Sequence, residues 1–275
     1  MNNKLAGQVA IVSGSGRGIG REIALKLHRD GAAVVVNDLD AAPAEEVVAQ
    51  IVAEGGRAVA CVGSVTEKDF GERVVKTALE SFGGLDIIVN NAGYTWDNVI
   101  QKMTDQQWDD IMEVHVSAPF RILRAASGHF REAAKKEAEE GREVFRKVVN
   151  ISSVSGVMGN PGQANYSAAK SAINGLTKAL AKEWGRYKVC VNSVAFGLIE
   201  TRLTSAAAGE GATINVGGRE LKVGISEQMA KNAAALIPMG RAGTPEEAAG
   251  GVYLFCIPES NYVSGQVLIV GGGRP

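Results

Sequence analysis

Val9-Ala10-Ile11-Val12 runs directly into Ser13-Gly14-Ser15-Gly16-Arg17-Gly18-Ile19-Gly20, after which Ile23, Ala24 and Leu27 return at helical spacing. A short apolar run, a glycine-rich turn and an amphipathic period together prescribe strand, tight turn and helix. Glycine has two uses in such a unit. It permits the turn, and it lets backbone approach a pyrophosphate that the helix N-terminus then attracts. The spacing is G-x-x-x-G-x-G on Gly14, Gly18 and Gly20, with Ile19 where the commoner G-x-G-x-x-G would carry its third glycine. Taken alone, the motif can also be a merely tight βα turn.

The same alternation continues. Ala33-Val34-Val35-Val36-Asn37-Asp38 reads as a second strand, followed by a helix over about Pro43 to Glu54 and a strand from Ala58 to Val62. A helix over about Glu67 to Phe82 leads to the strand Leu85 to Val89. Strands apolar on both faces and separated by helices predict a parallel sheet covered on each side. Val148 to Ser153, Val189 to Val194 and Gln266 to Val270 supply the later strands. The expected fold class is α/β: a doubly wound parallel (Rossmann) sheet of about seven strands with helices on both faces. The 275 residues, 45% of them hydrophobic, suffice for one large core, and no linker or repeat divides the chain. One domain, 1–275, is expected.

Two stretches stand apart from this pattern. Arg131 to Lys147 carries charges of mixed sign, which predicts a solvated helical extension with i,i+4 pairs such as Glu132 with Lys136, rather than a binding patch. Thr204 to Val223 is rich in Ala, Gly and small polar residues without a clear period, so it reads as a loop within a lid spanning about 203–237. A net charge of −1 gives no sign of nucleic-acid or anionic-membrane binding, and no apolar run approaches the ~20 residues needed to span a bilayer. The N-terminus has no apolar run before the first strand, so a cytoplasmic location is expected. Cys61, Cys190 and Cys256 are scattered through apolar surroundings, which predicts buried free thiols and no metal site.

The chemistry concentrates at strand ends. Tyr166-Ser167-Ala168-Ala169-Lys170 puts a phenol and an ammonium on one helix face, one turn apart. There the ammonium would favour phenolate and lower a pKa that is about 10 when unperturbed, so that the tyrosine gives or takes a proton. Such a pair is weak evidence alone. Ser153 ends the apolar run Val148 to Ser153 and offers a hydrogen-bond donor at the strand's C-terminal end, with Gly156 to Gly162 able to turn back over it. Asp38, about twenty residues past the glycine turn, can accept from both adenosine ribose hydroxyls of NAD and would repel a 2′-phosphate. Arg17 pulls the other way, toward NADP; NAD is the expected cofactor. Asn90-Asn91-Ala92-Gly93 lets the chain pass close beside a nucleotide.

Assembled, these residues resemble the short-chain dehydrogenase/reductase family along nearly the whole length: the Gly14/Gly18/Gly20 turn, Asn90 to Gly93, Ser153, Tyr166-x-x-x-Lys170 and Asn192 to Thr201. The resemblance implies a nicotinamide cofactor and a general acid/base role for Tyr166. It gives Ser153 the substrate oxygen, and Lys170 the nicotinamide ribose. It also implies cofactor contacts from Gly14, Ser15, Arg17, Gly18, Ile19, Gly20, Asp38, Leu39, Ser64, Val65, Asn91, Ala92, Gly93, Tyr166, Lys170, Gly197, Ile199 and Thr201, and a homotetramer.

Met158 to Tyr166 is similar to 3-oxoacyl-(acyl-carrier-protein) reductases and to (3R)-hydroxyacyl-CoA dehydrogenase units; Val35 to Leu39 and Val114-His115-Val116 lean toward the latter. The implied reaction is hydride transfer between NAD(H) and a 3-hydroxyacyl or 3-oxoacyl thioester. A steroid, cyclic or other small secondary alcohol is the alternative substrate class, and a non-catalytic binding protein of this fold the alternative function. His115 stands where most members carry the asparagine that holds a proton-relay water, so it either holds that water or has become structural. Phe196 replaces the usual proline, and Ser64 a frequent aspartate.

Overall fold

A computed structural model describes residues 3–201, 213–216, 219–222, 232 and 234–273. Its centre is a seven-stranded sheet: β1 (Val9–Val12), β2 (Ala33–Val36), β3 (Ala58–Ala60), β4 (Ile87–Asn90), β5 (Arg146–Ser153), β6 (Val189–Phe196) and β9 (Val267–Val270). The spatial order is β3-β2-β1-β4-β5-β6-β9, and every neighbour pair is parallel. The expected doubly wound sheet is therefore the architecture found.

Successive side chains of a strand point to opposite faces, and β1 shows why its run is apolar throughout. Ala10 and Val12 pack with Ile23, Leu27, Val47 and Ile51 on one side. Val9 and Ile11 pack with Phe70, Val74, Ile122 and Phe130 on the other. The first layer comprises α1 (Gly18–Arg29), α2 (Ala41–Ala53) and, late in the chain, α8 (Pro245–Tyr253). The second comprises α3 (Phe70–Phe82), α5 (Ala118–Glu139) and α7 (Ala164–Trp184). Two short helices complete the set: α4 (Asp105–Met112) and α6 (Ser155–Met158). Capping boxes fix two helix starts, Thr104 with Gln107 for α4 and Thr244 with Glu247 for α8, each satisfying N–H groups the first turn leaves open.

Two expectations change. The charged run is helical only to Glu139; Arg146 and Lys147 begin β5 and are buried. Arg146 is buried because Glu137 reaches it with two hydrogen bonds, 2.9 and 2.6 Å, and Lys147 because Ser260 Oγ accepts its proton at 3.1 Å. The i,i+4 pairs found on the outer face are Lys135–Glu139 and Lys136–Glu140, both at 4.0 Å, not Glu132–Lys136. Secondly, Thr204 to Val223 contains an antiparallel ribbon, β7 (Thr213–Val216) paired with β8 (Arg219–Lys222). The sequence between them, Gly217-Gly218, is a two-residue hairpin signal. The rest of the expected lid, apart from residues 232 and 234–237, lies outside the described residues. A π-helical turn, Glu113–Ser117, joins α4 to α5 and holds His115.

The three cysteines are free and buried, as expected. No helix among the described residues is long and apolar enough to cross a membrane.

Candidate active site

The strand order reverses between β1 and β4, and in an open α/β sheet ligands enter the crevice beyond the strand C-termini at that point. The residues singled out from sequence collect along this edge. The glycine turn follows β1, Asp38 follows β2, Asn91 to Gly93 follow β4, Ser153 ends β5 and Gly197 follows β6.

The glycine turn is held from both sides. Gly14 sits at φ +62° and so near the chain after β4 that a Cβ would lie 2.8 Å from Ala92 Cα. A Cβ on Gly20 would lie 2.1 Å from the Gly14 carbonyl oxygen, so α1 can seat against the turn only without a side chain there. Gly16, which the motif spacing does not single out, is equally constrained: a Cβ would meet Asp38 Oδ2 at 2.5 Å. Asn91 staples the turn, its Nδ2 donating to the carbonyls of Ser13 (2.9 Å) and Gly14 (3.0 Å). Ser13 Oγ accepts from the backbone N–H of Asn91 and Ala92 at 3.0 and 3.1 Å.

Fit to a dinucleotide is tested at α1. Its N-cap is Arg17, with no side-chain cap bond, and its first turn holds no acidic residue. The open N–H groups and positive helix end therefore suit a phosphate.

Arg17 and Asp38 are partners, not rivals. Arg17 Nη1 donates to Asp38 Oδ1 at 3.0 Å, and Arg17 Nη2 to Asp40 Oδ2 at 2.8 Å. The Asp38 side chain is nearly buried while Arg17 and Asp40 reach solvent. Sequence reasoning set the two residues against each other because only the fold brings positions 17, 38 and 40 together.

The remaining expected contact residues line or support the same edge. Ser15 is fully buried; its hydroxyl donates to the Val12 carbonyl at 2.6 Å and accepts from Asn37 N–H at 3.1 Å, so it builds the turn. Val65 turns into the core beside Phe70, and Ser64 Oγ shares a proton with Thr66 Oγ1 at 2.7 Å. Leu39 is exposed next to Asp38, and Ile19 packs on the core behind the turn. Gly197 lies so near Gly271 that a Cβ would meet its Cα at 2.9 Å; Ile199 is buried and bridges Gly243; Thr201 follows it.

At the floor of the crevice Tyr166 and Lys170 lie one turn apart on α7, facing Ser153. The Ser153 hydroxyl lies near enough to the Tyr166 phenol to favour its charged form. The Ser153 oxygen accepts from Ser155 N–H at 3.1 Å, and among the described residues its own proton has the long 3.5 Å contact to the Phe196 carbonyl. Its proton is thus readily given to another oxygen. Lys170 Nζ donates to the Ile151 carbonyl at 2.7 Å, 5.5 Å from the Tyr166 ring centroid.

The expected lowering of the phenol is not found. Burial pushes Tyr166 up to about 12 against the opposing Ser153 bond, with the nearby Asp97 carboxylate adding to the rise. Burial likewise pushes Lys170 down to about 7. The tyrosine keeps some exposed surface, yet desolvation of a phenolate in this crevice outweighs an ammonium turned toward another acceptor.

His115 stands edge-on to Tyr166, ring centroids 5.2 Å apart and planes at 84°. Its Nε2 lies 2.7 Å from the Tyr94 carbonyl, which can only accept, so Nε2 carries the proton. Burial, and then the Lys170 charge, hold the imidazole well below its usual range and hence neutral. Nδ1 is buried with no hydrogen-bond partner among the described residues. The imidazole is wedged against Gly93, where a Cβ would come within 2.1 Å of His115 Cε1.

This edge of the sheet can hold a dinucleotide against a proton donor and acceptor, and the chain is an NAD(P)-dependent oxidoreductase acting on CH–OH and C=O groups. It belongs to the short-chain dehydrogenase family, whose model, described as short chain dehydrogenase, matches residues 8–210. A 3-oxoacyl-(acyl-carrier-protein) reductase FabG of Vibrio cholerae is 38% identical over 269 residues, 98% of each chain. A 3-oxoacyl-(acyl-carrier-protein) reductase of Synechocystis is 37% identical over 271 residues, 98% of this chain and 97% of its own. The crystal structure of a dehydrogenase/reductase from Sinorhizobium meliloti superposes with a TM-score of 0.83 at 32% identity, covering 99% of this chain and 96% of that one.

Proposed function

We propose that this chain transfers a hydride between NAD(H) and a 3-hydroxyacyl or 3-oxoacyl thioester, with Ser153, Tyr166 and Lys170 as its reactive set. The observation that carries the reading is the hydroxyl pair Ser153–Tyr166 with Lys170 one turn on. A bound nicotinamide supplies the hydride. The chain's part is the proton. Tyr166 Oη gives it to the carbonyl oxygen in reduction and takes it back in oxidation, while Ser153 Oγ–H holds the same oxygen in place. The turn from Gly14 to Gly20 and the N-terminus of α1 would hold the pyrophosphate, Asp38 the adenosine ribose, and Lys170 the nicotinamide ribose.

The thioester assignment is supported by the names of the two reductases above and by the rim of the crevice. Val157 and Met158, just past Ser153, and Val99 and Ile100, past the β4 loop, are exposed apolar side chains suited to an acyl chain. The NAD assignment is supported by the ion pairing beside β2. Asp38 Oδ1 is taken by Arg17 and by Asp40 N–H at 3.1 Å, so Oδ2, turned toward Gly16, is left for the ribose. Two carboxylates to one guanidinium leave the pocket negative, and a 2′-phosphate a few ångströms from Asp38 costs on the order of a kcal/mol or more.

NAD is accordingly favoured by about tenfold, or about 1.4 kcal/mol. Measuring kcat/KM for NADH and NADPH with acetoacetyl-CoA, a simple β-keto ester and a panel of cyclic ketones tests both halves of the reading. Asp38→Ser should weaken NAD and sharply raise NADP use, because it removes the repelling charge and frees Arg17. Wild type preferring NADP would mean that Arg17 leaves both acids and governs the pocket. Cyclic ketones turned over faster than both acyl substrates would replace the thioester.

A further inference from the structure

The β4–α4 loop, residues 91–104, is fastened to the start of α7 by more bonds than its packing needs. Asn98 N–H donates to the Gly162 carbonyl at 2.9 Å, and Asn165 Nδ2 donates to the carbonyls of Trp96 (3.1 Å) and Gln107 (2.9 Å). Between these lies a side-chain link with a charge at its end. Gln163 Nε2 donates to Asp97 Oδ2 at 2.7 Å; Gln163 Oε1 accepts from Ser155 Oγ and Asn160 Nδ2, each at 2.9 Å. Ser155 then gives its backbone N–H to Ser153 Oγ at 3.1 Å. One continuous relay of donors thus runs from a surface carboxylate to the hydroxyl that faces Tyr166.

We propose that Asp97 is a positioning residue of this site, acting through Gln163 and Ser155 on the Ser153 hydroxyl and through its charge on Tyr166. The inference rests on the roles given above to Ser153 and Tyr166.

The direction of each effect follows from chemistry. By accepting from Gln163 Nε2, the carboxylate fixes which end of the amide faces Ser155, and so makes Oε1 the acceptor for Ser155 Oγ. Ser155 is thereby held where its N–H meets Ser153 Oγ. That oxygen, already accepting one proton, is set to donate its own toward the tyrosine or a substrate oxygen.

The charge acts separately. Tyr166 is faced by Lys170 from its own helix and by neutral His115 from the π turn. The Ser153 hydroxyl of β5 and the Asp97 carboxylate of the β4–α4 loop act on its charge. Among the described residues facing the phenol, Asp97 is the anion, and an anion there opposes phenolate. Burial pushes the Asp97 carboxyl above its usual range, and the bonds from Gln163 and Thr95 act against that rise.

Two substitutions separate geometry from charge. Asp97→Asn keeps an acceptor for Gln163 but removes the charge; Gln163→Leu keeps the charge but cuts the relay. Rates with NADH and acetoacetyl-CoA are taken across pH, beside 13Cζ-tyrosine NMR of the full chain up to pH 11. The Tyr166→Phe spectrum identifies the resonance.

Asp97→Asn is expected to keep kcat within about twofold at neutral pH and to shift the Tyr166 resonance, and any alkaline limb of the rate, to lower pH by about half a unit or more. Gln163→Leu is expected to lower kcat about tenfold with the tyrosine titration unmoved. Wild-type kcat in Gln163→Leu overturns the relay. A Tyr166 resonance that behaves identically in wild type and Asp97→Asn, whether titrating or unchanged to pH 11, overturns the charge effect. If Tyr166→Phe and Ser153→Ala retain full activity, the underlying role assignment has failed instead, and the NMR comparison still decides whether Asp97 acts on the phenol.

Discussion

Tyr166→Phe is expected to cut turnover by about 10²–10⁴-fold while nucleotide affinity stays nearly unchanged. The ring has two anchors that do not need its hydroxyl, the edge-on contact with His115 and the Lys170 ammonium near its face. Phenylalanine therefore fills the same space and removes only the atom that moves the proton. With a phenol as high as about 12, the group is a proton donor at neutral pH, which suits ketone reduction better than alcohol oxidation. Steady-state rates in both directions, beside a nucleotide titration followed by protein fluorescence, measure the effect. A variant keeping more than a tenth of the wild-type rate would take the acid/base role away from Tyr166.

The second large effect lies at the opposite end of the sheet. Arg146→Met is expected to destabilise the fold by about 3–5 kcal/mol, because it leaves Glu137 buried without its partner. Arg146 and Glu137 are joined by two bonds, and both side chains are almost fully enclosed. Asp86 lies close enough to feel both charges; burial pushes it up, and Arg146 acts to pull it down. Without the guanidinium, two carboxylates face each other across the start of β5. Burial already raises Asp86, and losing the guanidinium that pulls it down raises it further in the folded state. Protonation then favours folding, and the variant loses stability as pH rises through the folded pKa of Asp86. Denaturant unfolding at acid and neutral pH should show the smaller loss in acid. Arg146→Met combined with Glu137→Leu should recover most of the loss, since an apolar pair avoids the desolvation of both ions.

Much of this was legible from residues whose neighbours in sequence are also their neighbours in space. The glycine turn, the strands apolar on both faces and the Tyr166–Lys170 turn of helix each declare themselves within a dozen positions, and the fold and site edge follow. What sequence concealed is pairing across distance. Arg17 and Asp38 looked opposed because each was read against an absent phosphate and not against the other. Arg146 and Lys147 looked like solvated charges because a mixed-sign run does not state which members turn inward; Glu137 decides it from nine residues upstream. The tyrosine's rise depends on how much water the folded crevice takes from the phenol, which no local pattern states. Asp97 and Gln163 belong to no local period, and only the bonding of the β4–α4 loop to α7 joins them. By contrast, Gly217-Gly218 is a local hairpin signal, masked by the small-residue composition around it.

The wedge of His115 against Gly93 binds two distant positions into one hereditary unit. A lineage holding histidine at 115 has no freedom at 93, whereas a shorter residue at 115 would restore it. Substitutions must then arrive in order: the imidazole retreats first, and only afterwards can a side chain occupy the crevice wall. Gly93→Ala alone should be poorly tolerated, His115→Asn alone mild, and the two together far better than their sum, a non-additivity that a double-mutant cycle on stability reads directly. The route by which this site can change its walls is therefore directional.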